Sequence, residues 1–167
     1  MMNPQVLIDA PFGAVSMSVA NNQLTVELIP CALSDVQRQV GINYDALPPQ
    51  VLRACQQIKQ YFEQHTASLD ISVLPQGTAF QQRVWQAIAA IPVGETRTYS
   101  QLAEQIGSGS RAVANACGAN PLPIIIPCHR VIAKHGLGGF MQGKQNGLLI
   151  KQWLLKHEGV NLDGVSK

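Results

Sequence analysis

Cys128 and His129 stand side by side at the end of Asn120-Pro121-Leu122-Pro123-Ile124-Ile125-Ile126-Pro127-Cys128-His129-Arg130-Val131. An ionised cysteine is a strong nucleophile, and histidine is the side chain best suited to exchange its proton near neutrality. An unperturbed thiol titrates near ~8.5, so only a small fraction is thiolate at neutral pH and the surroundings must favour the anion. In an extended strand, adjacent side chains point to opposite faces, which would keep His129 away from Cys128. Pro127 suits the first position of a helical turn. Such a turn would break the strand, set Cys128 near unsatisfied backbone N–H groups and let His129 reach the sulfur through one bridging water. The competing reading of a bare Cys-His pair is a buried structural thiol beside a hydrogen-bonded imidazole.

The elements around this stretch must hold it in place. Pro121, Pro123 and Pro127 exclude a helix, because each lacks a donor and fixes φ, so Ile124-Ile125-Ile126 is predicted as a short buried extended segment. Upstream, Pro75-Gln76-Gly77 is a turn signal and the expected domain boundary, dividing residues 1–76 from residues 77–167. Thr78 can cap a helix carrying Phe80, Val84, Trp85, Ile88 and Ile91 on one face, with Gln81 completing a weaker capping box. Ser100 to Gly107 is expected to be a short helix capped by Ser100 and stopped by Gly107. Ser108-Gly109-Ser110 then leads to a second helix from Arg111, a helix-turn-helix pattern. On that second helix Ala112, Asn115, Ala116 and Ala119 share a face, with Val113 and Cys117 toward the core. So small a surface has little to read bases with in the major groove. It either permits close approach to the minor groove or packs on another helix, and Arg111 beside it would by default contact phosphate.

The first 76 residues carry a different pattern. Phe12 to Pro30 alternates around Asn21-Asn22 as a β-hairpin does, and Pro48-Pro49 opens a helix with Val51, Leu52, Cys55, Ile58, Tyr61 and Phe62 on one face. Cys31 to Tyr44 lacks periodicity and suits a loop or irregular strand, while Leu69 to Leu74 alternates like a strand. The whole is expected to be an α+β protein: a small antiparallel sheet with a helix, then a mostly helical domain. With 46% hydrophobic residues the chain can bury a core, which excludes low-complexity disorder. No signal peptide or long apolar run stands out, which points to the cytoplasm and no membrane. The four cysteines form no Cys-x-x-Cys pair, so neither a disulfide framework nor a zinc ribbon is expected. A zinc site from Cys31, Cys55 and His65 is disfavoured, and no metal is expected. A net charge of +2 is only a weak hint of anionic partners.

Asn-Pro-x-Pro-Ile-x-Ile-Pro-Cys-His-Arg-Val, together with the segment from Gly77 to Tyr99, resembles the O6-alkylguanine-DNA alkyltransferases, the suicide DNA-repair proteins. The likeness runs from about residue 77 to residue 159, and the first 76 residues match only in a general way. It implies a ribonuclease-H-like first domain and a second domain that binds double-stranded DNA carrying alkylated guanine. The helix from Arg111 would then enter the minor groove, with Ala112, Asn115 and Ala116 at the surface and Arg111 filling the gap left by an extruded nucleotide. Extrusion costs a few kcal/mol, least where pairing is already weak. The alkyl group would pass irreversibly to Cys128 in a single turnover, aided by a cysteine, water, histidine and glutamate relay that maps onto Cys128, His129 and, through Leu-Leu-Lys-His-Glu-Gly, Glu158. Tyr99 matches a tyrosine that donates a proton to the leaving base. No cofactor is implied, because the alkylated base carries the electrophile. The protein is expected to act as a monomer without an obligate protein partner.

Asn120 is expected to tie the turn after the second helix to the cysteine segment, with Arg130 in similar structural work. Val131, Phe140 and Met141 should line the base pocket. Glu158, an acid at the end of the predicted helix Gly147–Lys156, opposes the helix dipole, a local breach that often marks function. The sequence departs from the family where Gly139 to Gly147 replaces the usual Gly-Tyr-Ser-Gly-Gly-Leu with a longer loop, and Phe140 lacks the tyrosine hydroxyl. O4-alkylthymine stays open as a second substrate. Rival readings are a non-catalytic alkylated-base binder, a helix-turn-helix regulator and a multiple-turnover cysteine hydrolase.

Overall fold

In the computed structural model, which describes residues 6–34, 47–65, 75–140 and 146–162, three strands form an antiparallel meander in the order β1 (Val6–Ala10), β2 (Gly13–Ala20), β3 (Gln23–Ile29). The β2–β3 reversal is a two-residue turn in which Ala20 pairs with Gln23 and both Asn21 and Asn22 take positive φ, 52° and 63°. That geometry matches the twist of the strands, and asparagine is among the few non-glycine residues that tolerate it. Strand β1 was not anticipated, because Val6-Leu7-Ile8 is an apolar run without alternation. Helix α1 (Pro49–Glu63) starts where proline costs nothing, at a first-turn position whose N–H has no helical partner. It packs on β1 and β2 through Val51, Ala54, Cys55, Ile58 and Tyr61. The segments 35–46 and 66–74, which include the expected strand Leu69 to Leu74 and most of the expected loop or irregular strand after Cys31, lie outside the described residues.

The chain divides into two units, residues 1–75 with 121–125 and residues 76–120 with 126–167. Pro121–Ile125, which the sequence places in the second domain, clusters with the first, where Val26 N–H donates to Pro121 O at 2.9 Å. The expected extended Ile segment is also corrected. Ile124 and Ile125 form a turn, and Ile124 holds φ at 73°, a strained conformation for a β-branched residue that its complete burial helps to enforce.

The second unit begins with α2 (Ala79–Ala89), whose Thr78 and Gln81 make both bonds of a capping box. The Trp85 indole N–H donates to Ala116 O at 2.9 Å, fastening α2 to α4 (Ser110–Gly118). Helix α3 (Tyr99–Ile106) follows the short strand β4 (Arg97–Thr98) and is capped by Thr98, not Ser100. Thr98 finds Gln101 three residues on and both reciprocal bonds form, whereas Ser100 would find Ala103, which cannot reciprocate. Gly107 ends α3 in the left-handed region at φ 72°. After the 3₁₀ turn Cys128–Arg130, β5 (Val131–Ile132) pairs in parallel with β4, and α5 (Gly147–His157) packs on that turn. Among the described residues no helix is long and apolar enough to cross a membrane.

Candidate active site

Pro127 sits just before the 3₁₀ turn rather than at its first position, with φ −79° and ψ 64°. These are inverse γ-turn angles, and Cys128 N–H accordingly donates to Ile126 O at 2.7 Å while Arg130 N–H donates to Pro127 O at 2.9 Å. The tight reversal thus takes up the cysteine's own N–H, which is not among the free N–H groups expected near the thiol. Cys128 is buried, and burial pushes its thiol up from the ordinary range; the Asn120 side-chain amide and the Lys151 charge oppose that rise. Asn120 also donates to Ile126 O at 2.8 Å, joining the two ends of the 121–125 excursion.

The same turn sends His129 and Arg130 to one carboxylate. His129 Nε2 lies 2.6 Å from Glu158 Oε2, and Arg130 Nε donates to Glu158 Oε1 at 2.7 Å, with all three residues buried. Arg130 Nη1 also donates to Ile91 O at 2.6 Å. Glu158 is held by the end of α5, where Gly159 N–H donates to Lys156 O and Val160 N–H to Leu155 O, the paired bonds of a Schellman stop. A carboxylate only accepts, so Nε2 carries the ring proton and Nδ1 is left as the acceptor. Burial lowers the His129 pKa more than Glu158 raises it, which keeps the ring neutral. Among the described residues His129 Nδ1 is the buried side-chain nitrogen or oxygen without a hydrogen-bond partner.

A second set of contacts shapes the space beside the thiol. The Tyr99 hydroxyl donates to Gly139 O at 3.4 Å, and burial pushes its pKa up to about 12. Gly138 has φ 75°, and a Cβ there would come within 2.7 Å of the Tyr99 ring. Lys151, fully buried in α5, donates to Val131 O at 2.7 Å, Leu137 O at 2.5 Å and Gly139 O at 2.9 Å. Burial lowers its pKa to about 8. Sequence reasoning missed Lys151. Its signal is a lone lysine among Ile150, Leu154 and Leu155 on the buried stripe of α5. Cys117 also lies close enough to be influenced by Cys128, and burial raises its thiol to about 12.

Val131 and Phe140 are buried, and Met141 lies outside the described residues. On α4, Arg111 and Asn115 are exposed and Ala112 is half-buried, but Ala116 is only 3% exposed. Ala116 therefore cannot present a surface to DNA. Its carbonyl accepts from the Trp85 indole in the core, while Asn115 and Ala119 on the same face stay exposed.

A sequence profile described as 6-O-methylguanine DNA methyltransferase, DNA binding domain, matches residues 79–160. Over 93% of this chain the sequence is 48% identical to the methylated-DNA–protein-cysteine methyltransferase of Methanosarcina barkeri, 97% of which is covered. The chain belongs to the 6-O-methylguanine DNA methyltransferase family. The methyltransferase of the same name from Mycobacterium tuberculosis is 37% identical over 90% of this chain and 89% of its own. A crystal structure of the Mycobacterium tuberculosis OGT in complex with DNA superposes with a TM-score of 0.71 at 34% identity, covering 92% of this chain and 91% of that one. Both extend the likeness to the first 76 residues, so this methyltransferase has the family's two-part α+β fold, not only its second unit.

Proposed function

We propose that the protein repairs DNA by moving an alkyl group from O6 of guanine onto Cys128 Sγ, irreversibly and once per molecule. The observation that carries this reading is the His129–Glu158 pair beside Cys128. One ring nitrogen is fixed by a buried carboxylate at 2.6 Å, and the other is a buried acceptor with no partner. Such a ring can take a thiol proton through one bridging water.

Burial holds the thiol neutral until substrate arrives, so deprotonation must accompany attack. The sulfur forms a bond to the alkyl carbon as the carbon–oxygen bond breaks, and that electron pair moves onto the purine. The thiol proton passes to His129, whose imidazolium is stabilised by Glu158. Tyr99 supplies a proton to the departing guanine and is reprotonated in turn, so the net products are S-alkylcysteine and guanine. With a pKa about 12 the Tyr99 hydroxyl remains a donor across the physiological range. Val131 and Phe140 line the base pocket, whose loop Lys151 braces. The chemistry needs no cofactor, since the substrate brings the electrophile.

On the DNA side, α4 offers Ala112 and Asn115 to the minor groove, and Arg111 replaces the extruded base in the stack. The Mycobacterium tuberculosis relative in complex with DNA supports DNA as the partner. Intact-mass measurement after incubation with a duplex carrying one O6-methylguanine tests the reading. One methyl group on Cys128 is expected, with none on Cys31, Cys55 or Cys117. Demethylation of the duplex by Cys128→Ala would overturn it.

A further inference from the structure

Arg111 on the first turn of α4 and Lys134 in the loop after β5 wall one cleft of about 390 Å³, with the hydroxyls of Tyr99, Ser100 and Ser110 and the small Ala114 between them. Both cations are exposed, and neither has an ion-pair partner among the described residues. Among the described residues, none that lines the cleft is acidic. Tyr99, which lines the cleft, also lies close enough to Cys128 to feel its charge. The function proposed above uses Arg111 and Tyr99 and leaves Lys134, Ser100 and Ser110 without a task.

We infer that Lys134, with the Ser100 and Ser110 hydroxyls, forms a phosphate subsite that grips the backbone of the strand whose nucleotide has been extruded. The inference rests on the base-extrusion reading. With Arg111 in the vacated stack and the base beside Tyr99, the strand joining those two points crosses this cleft, and its phosphodiester falls to the unpaired cation and hydroxyl donors there. Phosphate contacts of this kind position a duplex without reading its sequence, as suits a scanner for damage.

The test measures affinity for an O6-methylguanine duplex across a salt series, for the unmodified protein, Lys134→Ala and Lys134→Arg. Loss of one phosphate contact lowers the slope of log K against log salt by about 0.9. That decrease is expected for Lys134→Ala and not for Lys134→Arg, while methyl transfer at saturating DNA stays within about twofold of the unmodified rate. A neutral methylphosphonate at one linkage beside the lesion should weaken the unmodified protein and leave Lys134→Ala unaffected. An unchanged slope, or equal sensitivity of both proteins to every methylphosphonate, would overturn the subsite. Inorganic phosphate is expected to compete no better than chloride at equal ionic strength. Specific displacement that Lys134→Ala abolishes would instead identify a free-phosphate site and overturn the DNA assignment. Methyl transfer to Cys128, read by mass in the same samples, separates the outcomes. Its absence sinks the proposed function, whereas transfer with an unchanged slope sinks only the role of Lys134.

Discussion

Replacing Glu158 with glutamine removes one charge from a buried cluster and keeps its shape. Arg130 Nε needs an acceptor at 2.7 Å, so the new carbonyl oxygen turns toward Arg130 and the amide NH₂ toward His129. His129 Nε2, 2.6 Å away, must then accept, and the ring proton moves to Nδ1. The nitrogen that was free to take a proton now carries one. The loss should therefore match that of a general base, about 10²- to 10⁴-fold in the single-turnover rate. Arg130 also loses its counter-charge while buried. Breaking a buried pair costs about 3–5 kcal/mol, and the retained hydrogen bonds place Glu158→Gln near the lower figure. At about 2–4 °C per kcal/mol for a chain of this length, a loss of ~3 kcal/mol lowers Tm by about 6–12 °C. Methyl transfer from a duplex, followed by quenched flow and mass analysis at a temperature well below the variant's melt, measures the rate apart from stability. A folded Glu158→Gln that transfers within about threefold of the unmodified rate would refute the tautomer argument.

Three further outcomes are expected. Gly138→Ala should slow transfer about 10²-fold, as a misplacement near 1 Å does, because a Cβ 2.7 Å from the Tyr99 ring must displace it; the check is the single-turnover rate with the fold verified by circular dichroism. Thr98→Ala should lose about 1 kcal/mol and Ser100→Ala less than about 0.5 kcal/mol by urea unfolding, with the reverse order contradicting the cap assignment. For His129 the folded pKa lies below its ordinary 6.5, so as pH falls the unfolded chain takes the proton first. The stability contributed by neutral His129 is then complete above pH 6.5 and declines below it, at no more than about 1.4 kcal/mol per pH unit. Unfolding of His129→Gln across pH 5–8 should lack that component of the slope.

What the sequence determined by itself is what neighbours along the chain decide. The Asn21-Asn22 turn, the proline start of α1, the Thr78 capping box and the Gly107 stop each depend on a few adjacent residues, so their side-chain and φ preferences suffice. Cys128 and His129 were legible for the same reason, and Glu158 through its place in a resembling motif. The capping of α3 is equally local, since Thr98-x-x-Gln101 repeats Thr78-x-x-Gln81, whereas Ser100 two residues on has no such partner. Tertiary structure decided the rest. Ala116 sits at a spacing that puts it with Ala112, yet the indole of Trp85, 31 residues away, claims its turn of helix for the core. Arg130 joins Glu158 across 28 residues and Ile91 across 39, contacts that no local pattern encodes. Lys151 is the clearest case. A lysine is expected at the surface, and only a fold that brings three carbonyls from the 131–139 segment to one point can satisfy its ammonium in the interior.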